Sequence, residues 1–191
     1  MQKIKLNIRE FLKYKLLNSA FLGISVGSIF VLYTPLMPSV YSVGGILLAL
    51  GMLLVAKFYY KILNINYFFK ISLFVELVLL FVITYFLLFS YSYITALIVY
   101  AGYQFTFTFG SYLIRAETLF LKKTKPMELV DVAKQKGYLF GMLVSYIFYT
   151  SLEYFFSISD KQTQVYLIHF LLVFLELLII FYLIKSFRSL Q

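Results

Sequence analysis

LLNSAFLGISVGSIFVLYTPLMPSVYSVGGILLALGMLLVA, residues 16–56, is a run of 41 residues without a single charge. A helix crosses the hydrocarbon core of a bilayer in about 20 apolar residues, so the run is too long for one crossing. Pro35 and Pro38, in YTPLMPS, interrupt it near the middle. Proline removes a helix donor and clashes with the preceding turn. The stretch therefore predicts two membrane helices, about residues 16–33 and 42–58, joined by a tight turn.

Outward from this pair, apolar segments recur at about 71–90, 93–114, 137–156 and 165–184. SYS at 90–92 and SISDKQTQ at 157–164 read as turns. Of all residues 62% are hydrophobic, and only 13% are charged, against about 25% in an ordinary soluble domain. So little polar surface cannot dress a body in water, whereas in lipid the outward side chains are free to be apolar. The expected fold is an all-α integral membrane protein of six transmembrane helices. It forms a single transmembrane domain over 1–191, with no large soluble domain on either side. The first 15 residues carry Lys3, Lys5, Arg9, Lys13 and Lys15, and no small-residue cleavage site ends a short apolar core, so no cleavable signal is expected.

The bases sort by side. Sixteen of the 17 lysines and arginines fall in the N-terminal stretch, the 57–70 loop, the 115–136 stretch and the tail; Lys161 stands alone opposite them. By the positive-inside rule both termini are cytoplasmic and the chain is a multi-pass protein of the cell (inner) membrane. The same rule accounts for the net charge of +9, so no nucleic acid partner is expected; the lipid bilayer is. Absent cysteines remove disulfides, thiolate metal sites and thiol nucleophiles, and one histidine makes a histidine metal cage a poor prospect. Neither metal nor cofactor is expected. With no nucleophile–base pair and no phosphate loop, an enzyme is not expected either.

Two basic stretches have helical character. Residues 1–15 form a cytoplasmic amphipathic lead-in, with Ile4, Ile8, Phe11 and Leu12 on one side. It lies on the membrane surface or simply extends segment one. Residues 115–136 form a cytoplasmic loop, in which Pro126 opens a helix carrying Leu129, Val130 and Ala133 into segment five.

Small residues let membrane helices approach closely. Ser19, Gly23 and Gly27 in segment one, and Gly137, Gly141 and Ser145 in segment five, recur at four-residue steps. Segments two and four hold the other glycines, and segments three and six have neither glycine nor alanine. Segments one, two, four and five are expected to pack tightly, with three and six peripheral.

That plan, with SVGGILLALGMLL (42–54) and GSYLIRAETLFLKKTKPMELVDVAKQKGYLFGML (110–143), resembles one six-helix half of a major facilitator superfamily transporter. The first string is similar to the family's second helix, and the second to its passage from helix four into helix five. The likeness covers nearly the whole chain, with degenerate motifs. The family's loop signature after helix two carries glycine, aspartate and arginine; here AKFYYKILNINYFFK (56–70) offers Tyr60, Lys61 and Asn64 and no acidic partner for the latch. The resemblance implies two halves related by an axis along the membrane normal, and so a homodimer or a heteromeric membrane partner.

Segment four carries Tyr100, Gln104, Thr108, Ser111 and Arg115 at steps of four, four, three and four, on one helix face. In the resembling family the fourth helix lines the substrate cavity, which makes these five the cavity candidates; helix-to-helix hydrogen bonding is the plainer reading. Arg115 and Glu117 read as an interfacial charge pair. Glu176 lies near the centre of segment six, where a charge is costly, and His169 is seven residues earlier on the same face. Glu76 sits about five residues in from the cytoplasmic side, near enough to reach out. Glu176, His169 and Glu76 are the candidates for proton handling or for binding a partner. A charged helix six conflicts with the family, whose sixth helix faces lipid. Three resolutions stand: a protonated carboxyl, a partner over segment six, or a different fold.

The expected function is transport of a small solute by a half-sized secondary transporter. The alternatives are the substrate-binding membrane subunit of an energy-coupling-factor transporter, and a non-transporting membrane scaffold or assembly factor.

Overall fold

Five of the helices begin where a side chain or a proline closes them. In the computed structural model, which describes residues 4–33 and 35–189, the chain forms α1 (Ile8–Tyr33), α2 (Pro38–Lys57), a one-turn α3 (Tyr59–Ile62), α4 (Ile65–Leu88), α5 (Tyr93–Thr108), α6 (Gly110–Leu121), α7 (Thr124–Phe156) and α8 (Lys161–Ser186). The carbonyl of the Asn7 side chain accepts from Arg9 N at 3.2 Å, that of Asn64 from Tyr67 N, the Ser92 hydroxyl from Thr95 N, and the Asp160 carboxylate from Thr163 N. These are N-caps, each satisfying a donor the helix itself leaves free. Pro38 opens α2, where its missing N–H costs nothing.

The all-helical expectation holds apart from one short ribbon. Strands β1 (Ile4–Leu6) and β2 (Phe187–Ser189) pair antiparallel, Leu6 opposite Phe187, tying the two ends of the chain together. Phe187 is buried there, with Phe11, Phe68 and Phe69 around it at ring separations of 6.4, 5.5 and 5.1 Å.

Among the described residues, α1, α2, α4, α7 and α8 are long and apolar enough to cross a membrane, which gives the chain the character of a membrane-embedded protein. The stretch read as the fourth crossing is broken at Phe109 into α5 and α6. Thr106 donates to Tyr103 O at 2.8 Å and Thr108 to Gln104 O at 3.1 Å. Such back-bonding bends helices, and Phe109 N here turns to Thr106 O, a tighter three-residue step. The lead-in is no separate surface helix where it is described: from Ile8 onward it is the opening of α1, and residues 1–3 lie outside the described ones. Likewise α7 absorbs the 124–136 part of the predicted loop and runs 33 residues, about 50 Å at 1.5 Å per residue.

Side by side, the principal helix contacts run in the order α7, α1, α8, α4, α5, α2. The α1–α7 seam is the close approach expected from the small-residue steps. A Cβ added at Gly137 would stand 3.0 Å from Leu16 C, and one at Gly141 would stand 2.9 Å from Ala20 Cα. The expectation for the bulky segments fails within the chain. α4 and α8 occupy the middle of the array, with Phe68, Leu172, Ile179 and Leu183 at 0–1% exposure, whereas α2 has no buried residue at all. Bulky helices fill the centre by interdigitating large side chains, and the glycines of α2 serve one seam only, against α5.

The contact order is its own mirror. Exchanging the first three long segments for the last three (α1 with α5, α2 with α7, α4 with α8) turns the order into its reverse. α4 and α8 stand side by side at the centre of that order. No repeat in the sequence announces it.

Candidate functional site

Three helices bring polar groups together where α4 and α8 cross beside α1. Glu76 on α4 is 2% exposed, Glu176 on α8 is 0%, and Tyr14 on α1 is 3%. The Tyr14 hydroxyl donates to Glu76 Oε1 at 2.6 Å, and the Asn18 amide donates to the same oxygen at 3.1 Å. Glu76 thus points inward to protein instead of reaching for the cytoplasmic interface. The Glu176 carboxyl lies within hydrogen-bonding reach of the Glu76 carboxyl. Among the described residues, none donates to Glu76 Oε2 or to either oxygen of Glu176. The chain itself encloses Glu176, so no partner is needed to cover it.

His169 does not join this group. Its Nδ1 sits 2.6 Å from Val165 O, one turn back on the same helix, and its ring lies 4.2 Å from that of Phe86. The seven-residue spacing put His169 and Glu176 on one face, but two helical turns separate them along the axis. Glu76, 100 residues away in sequence, comes closer.

At the end of the bundle that carries the bases, Glu117 on α6 binds Lys15 of α1 at 2.7 Å and also Lys134 of α7. Burial alone would push the Glu117 carboxyl up; the two ammonium groups reverse that and hold it below the usual carboxylate range. This replaces the expected Arg115–Glu117 pair. Arg115 is exposed, and no ion pair reaches it among the described residues. Glu153 is exposed on α7, as a residue reaching headgroups would be.

The polar stripe of segment four is divided. Tyr100, Gln104 and Thr108 line a cleft of about 440 Å³ between α2 and α5; Ser111 and Arg115 lie beyond it and are exposed. Gly44 and Gly51 of α2 make room for the other wall: a Cβ at Gly44 would run into the Tyr100 ring, and one at Gly51 would stand 2.8 Å from Thr108 Cγ2. The Tyr100 hydroxyl donates to Tyr41 O at 3.2 Å. The rest of the lining is apolar apart from Gln104, whose Oε1 is buried without a donor. The cleft therefore suits a small, mostly apolar molecule that can donate one hydrogen bond.

Sequence reasoning named Glu76 and Glu176 but missed their meeting, and missed Tyr14 and Asn18 altogether. One signal was present: each glycine-free segment, three and six, holds a single acid. Among the described residues no cluster of three or more metal-ligating acids or histidines occurs. Comparisons of the chain with family models, curated proteins and solved structures return no match.

Proposed function

We propose that the chain is one half of a facilitator-type secondary transporter for a small solute, crossing the inner membrane six times and working as a homodimer or with a partner chain. The observation that carries this reading is the palindromic contact order. A six-helix facilitator half is built of two three-helix repeats in inverted orientation, and a contact order that survives exchange of the first three segments with the last three fits such a build; the central place of α4 and α8 departs from the family, whose sixth helix faces lipid. The kinked α5–α6 pair serves as the crossing that completes six. Two further observations support the reading: α2 buries nothing within the chain, and the α2–α5 cleft lies at that open edge. A second half would cover both.

Reconstitution into nanodiscs tests the pairing. The expected particle carries two copies or a second membrane chain, and a fluorophore on a cysteine at Leu50 of α2 is shielded from a lipid-phase quencher. A monodisperse monomer with a fully quenched label refutes it. Co-purification of a cytoplasmic ATPase would favour the energy-coupling-factor alternative instead.

A further inference from the structure

We propose that Glu76 and Glu176 form a binding site for one exchangeable proton, carried by Glu176 and donated to Glu76 Oε2 across the α4–α8 crossing. Two acids side by side do not make a site by themselves. Here, however, Glu176 is wholly buried, lacks any donor or acceptor partner among protein groups other than carboxyl, and is aimed at a carboxyl that already has two donors.

The donor inventory fixes where the proton sits. An ionised carboxylate only accepts, while a protonated one donates once. Tyr14 and Asn18 both serve Glu76 Oε1 and thereby favour the anion on Glu76. Nothing serves Glu176, so an anion there would stand alone in an apolar interior, which is costly. Two ionised carboxyls at this distance would also repel each other. A single proton on Glu176 removes all three difficulties. It neutralises Glu176, satisfies Glu76 Oε2, and leaves one negative charge on the carboxyl with three donors.

The other titratable groups that bear on the pair sit on neighbouring helices. Lys15 of α1 acts on Glu76 with its positive charge, Glu117 of α6 acts on Tyr14, and Tyr103 of α5 stands close enough to Glu176 to feel its charge. None of these is hydrogen-bonded to Glu176. Leaving Glu76 anionic is consistent with Lys15 nearby. Within the transport reading the proton is the coupling ion, and that role rests on the reading; the proton site does not.

Infrared spectroscopy of the full chain in nanodiscs decides it. The wild type is expected to show a protonated-carboxyl C=O band at neutral pH that shifts on exchange into D2O and ignores sodium. E176Q is expected to lose the band, because the introduced amide then donates to an anionic Glu76. E76Q is expected to keep it, displaced, because Tyr14 and Asn18 hold the introduced carbonyl and the introduced amide N–H then donates to the C=O of the still protonated Glu176. Absence of the band from the wild type, or its disappearance on adding sodium, overturns the proposal without any variant. So does a band that survives unchanged in folded E176Q. A band with the expected behaviour in a protein that moves no solute under an imposed pH gradient upholds the proton site and counts against transport.

Discussion

Replacing Gly141 with alanine adds one carbon to the tightest seam in the protein. That carbon would stand 2.9 Å from both the carbonyl carbon and Cα of Ala20, and closer still to the Ala20 carbonyl oxygen. Unstrained carbon–carbon contacts lie at about 3.5–4.0 Å, and the obstacle is backbone, which cannot rotate aside. The helices must part by about 0.6–1 Å, a gap that forfeits a quarter to a half of each contact's dispersion energy. Gly23 and Gly137 lie on the same seam, with an added Cβ 2.9 Å from Met142 N in the first case and 3.0 Å from Leu16 C in the second. Parting at Gly141 therefore loosens the whole α1–α7 contact. Overpacking of this kind costs about 1–3 kcal/mol, offset by about 0.5–1 kcal/mol from alanine's better helix propensity. The expected net loss is about 1–2 kcal/mol. Gly45, on α2, has nothing within 4 Å of its added Cβ. Gly45→Ala should therefore stabilise, by about 0.5–1 kcal/mol. Reversible unfolding in mixed micelles of rising sodium dodecyl sulfate content, followed by circular dichroism, measures both. If Gly141→Ala unfolds no earlier than Gly45→Ala, the seam does not hold α1 to α7 as described.

Other outcomes follow from the same geometry. Glu117→Gln should cost about 2 kcal/mol, since it removes hydrogen bonds to two charged groups. Because the folded carboxyl is held below its ordinary value, this stabilisation is complete above the usual carboxylate range, about 4.3, and is lost as pH falls through the folded value. Stability curves of wild type and variant should converge in acid; a gap that persists there would disprove the ion-pair origin. Gln104→Leu removes a buried oxygen without a donor and should leave stability unchanged or raise it by about 1 kcal/mol, while impairing any solute uptake through the cleft. Phe187→Ala should cost about 3 kcal/mol and release the β1–β2 ribbon, seen as faster hydrogen exchange at Asn7, whose N–H donates to Ser186 O; unchanged exchange would mean the aromatic cluster does not hold the ends.

The long apolar helices were legible because their signal is local: charge-free length and proline breaks need no knowledge of neighbours. So was the α1–α7 seam, since glycine and serine at four-residue steps leave few other uses for a helix face. What stayed hidden depended on pairing. Segments three and six look peripheral by composition, because lipid-facing and core-facing bulky side chains are alike apolar; only the three-dimensional order shows α4 and α8 in the middle. His169 and Glu176 share a face yet do not meet, since spacing along one helix says nothing about the helix opposite. The break at Phe109 arises from threonine hydroxyls turning on their own backbone, a choice open to any threonine in a helix and made by only some. Arg115 and Glu117 are two apart in sequence, and residues two apart do not face each other on a helix; that error was avoidable.

On the proposed facilitator-half reading, the exchange symmetry also bears on why two acids occur together. A residue near the axis relating two inverted repeats faces its counterpart, so a polar group placed there in one repeat meets the equivalent position of the other. A lone glutamate at mid-membrane costs at least about 2.5 kcal/mol, and a second carboxylate against it would cost more. The arrangement is tolerable because the symmetry is imperfect in its donors. α1 supplies Tyr14 and Asn18 to Glu76. α5, the counterpart of α1, brings Tyr103 near Glu176 but gives it no hydrogen bond. With donors on both sides, two anions would be held and no proton needed; with donors on neither, both acids would stay neutral. Donors on one side alone leave one anion and one acid, and so a site with room for a single proton.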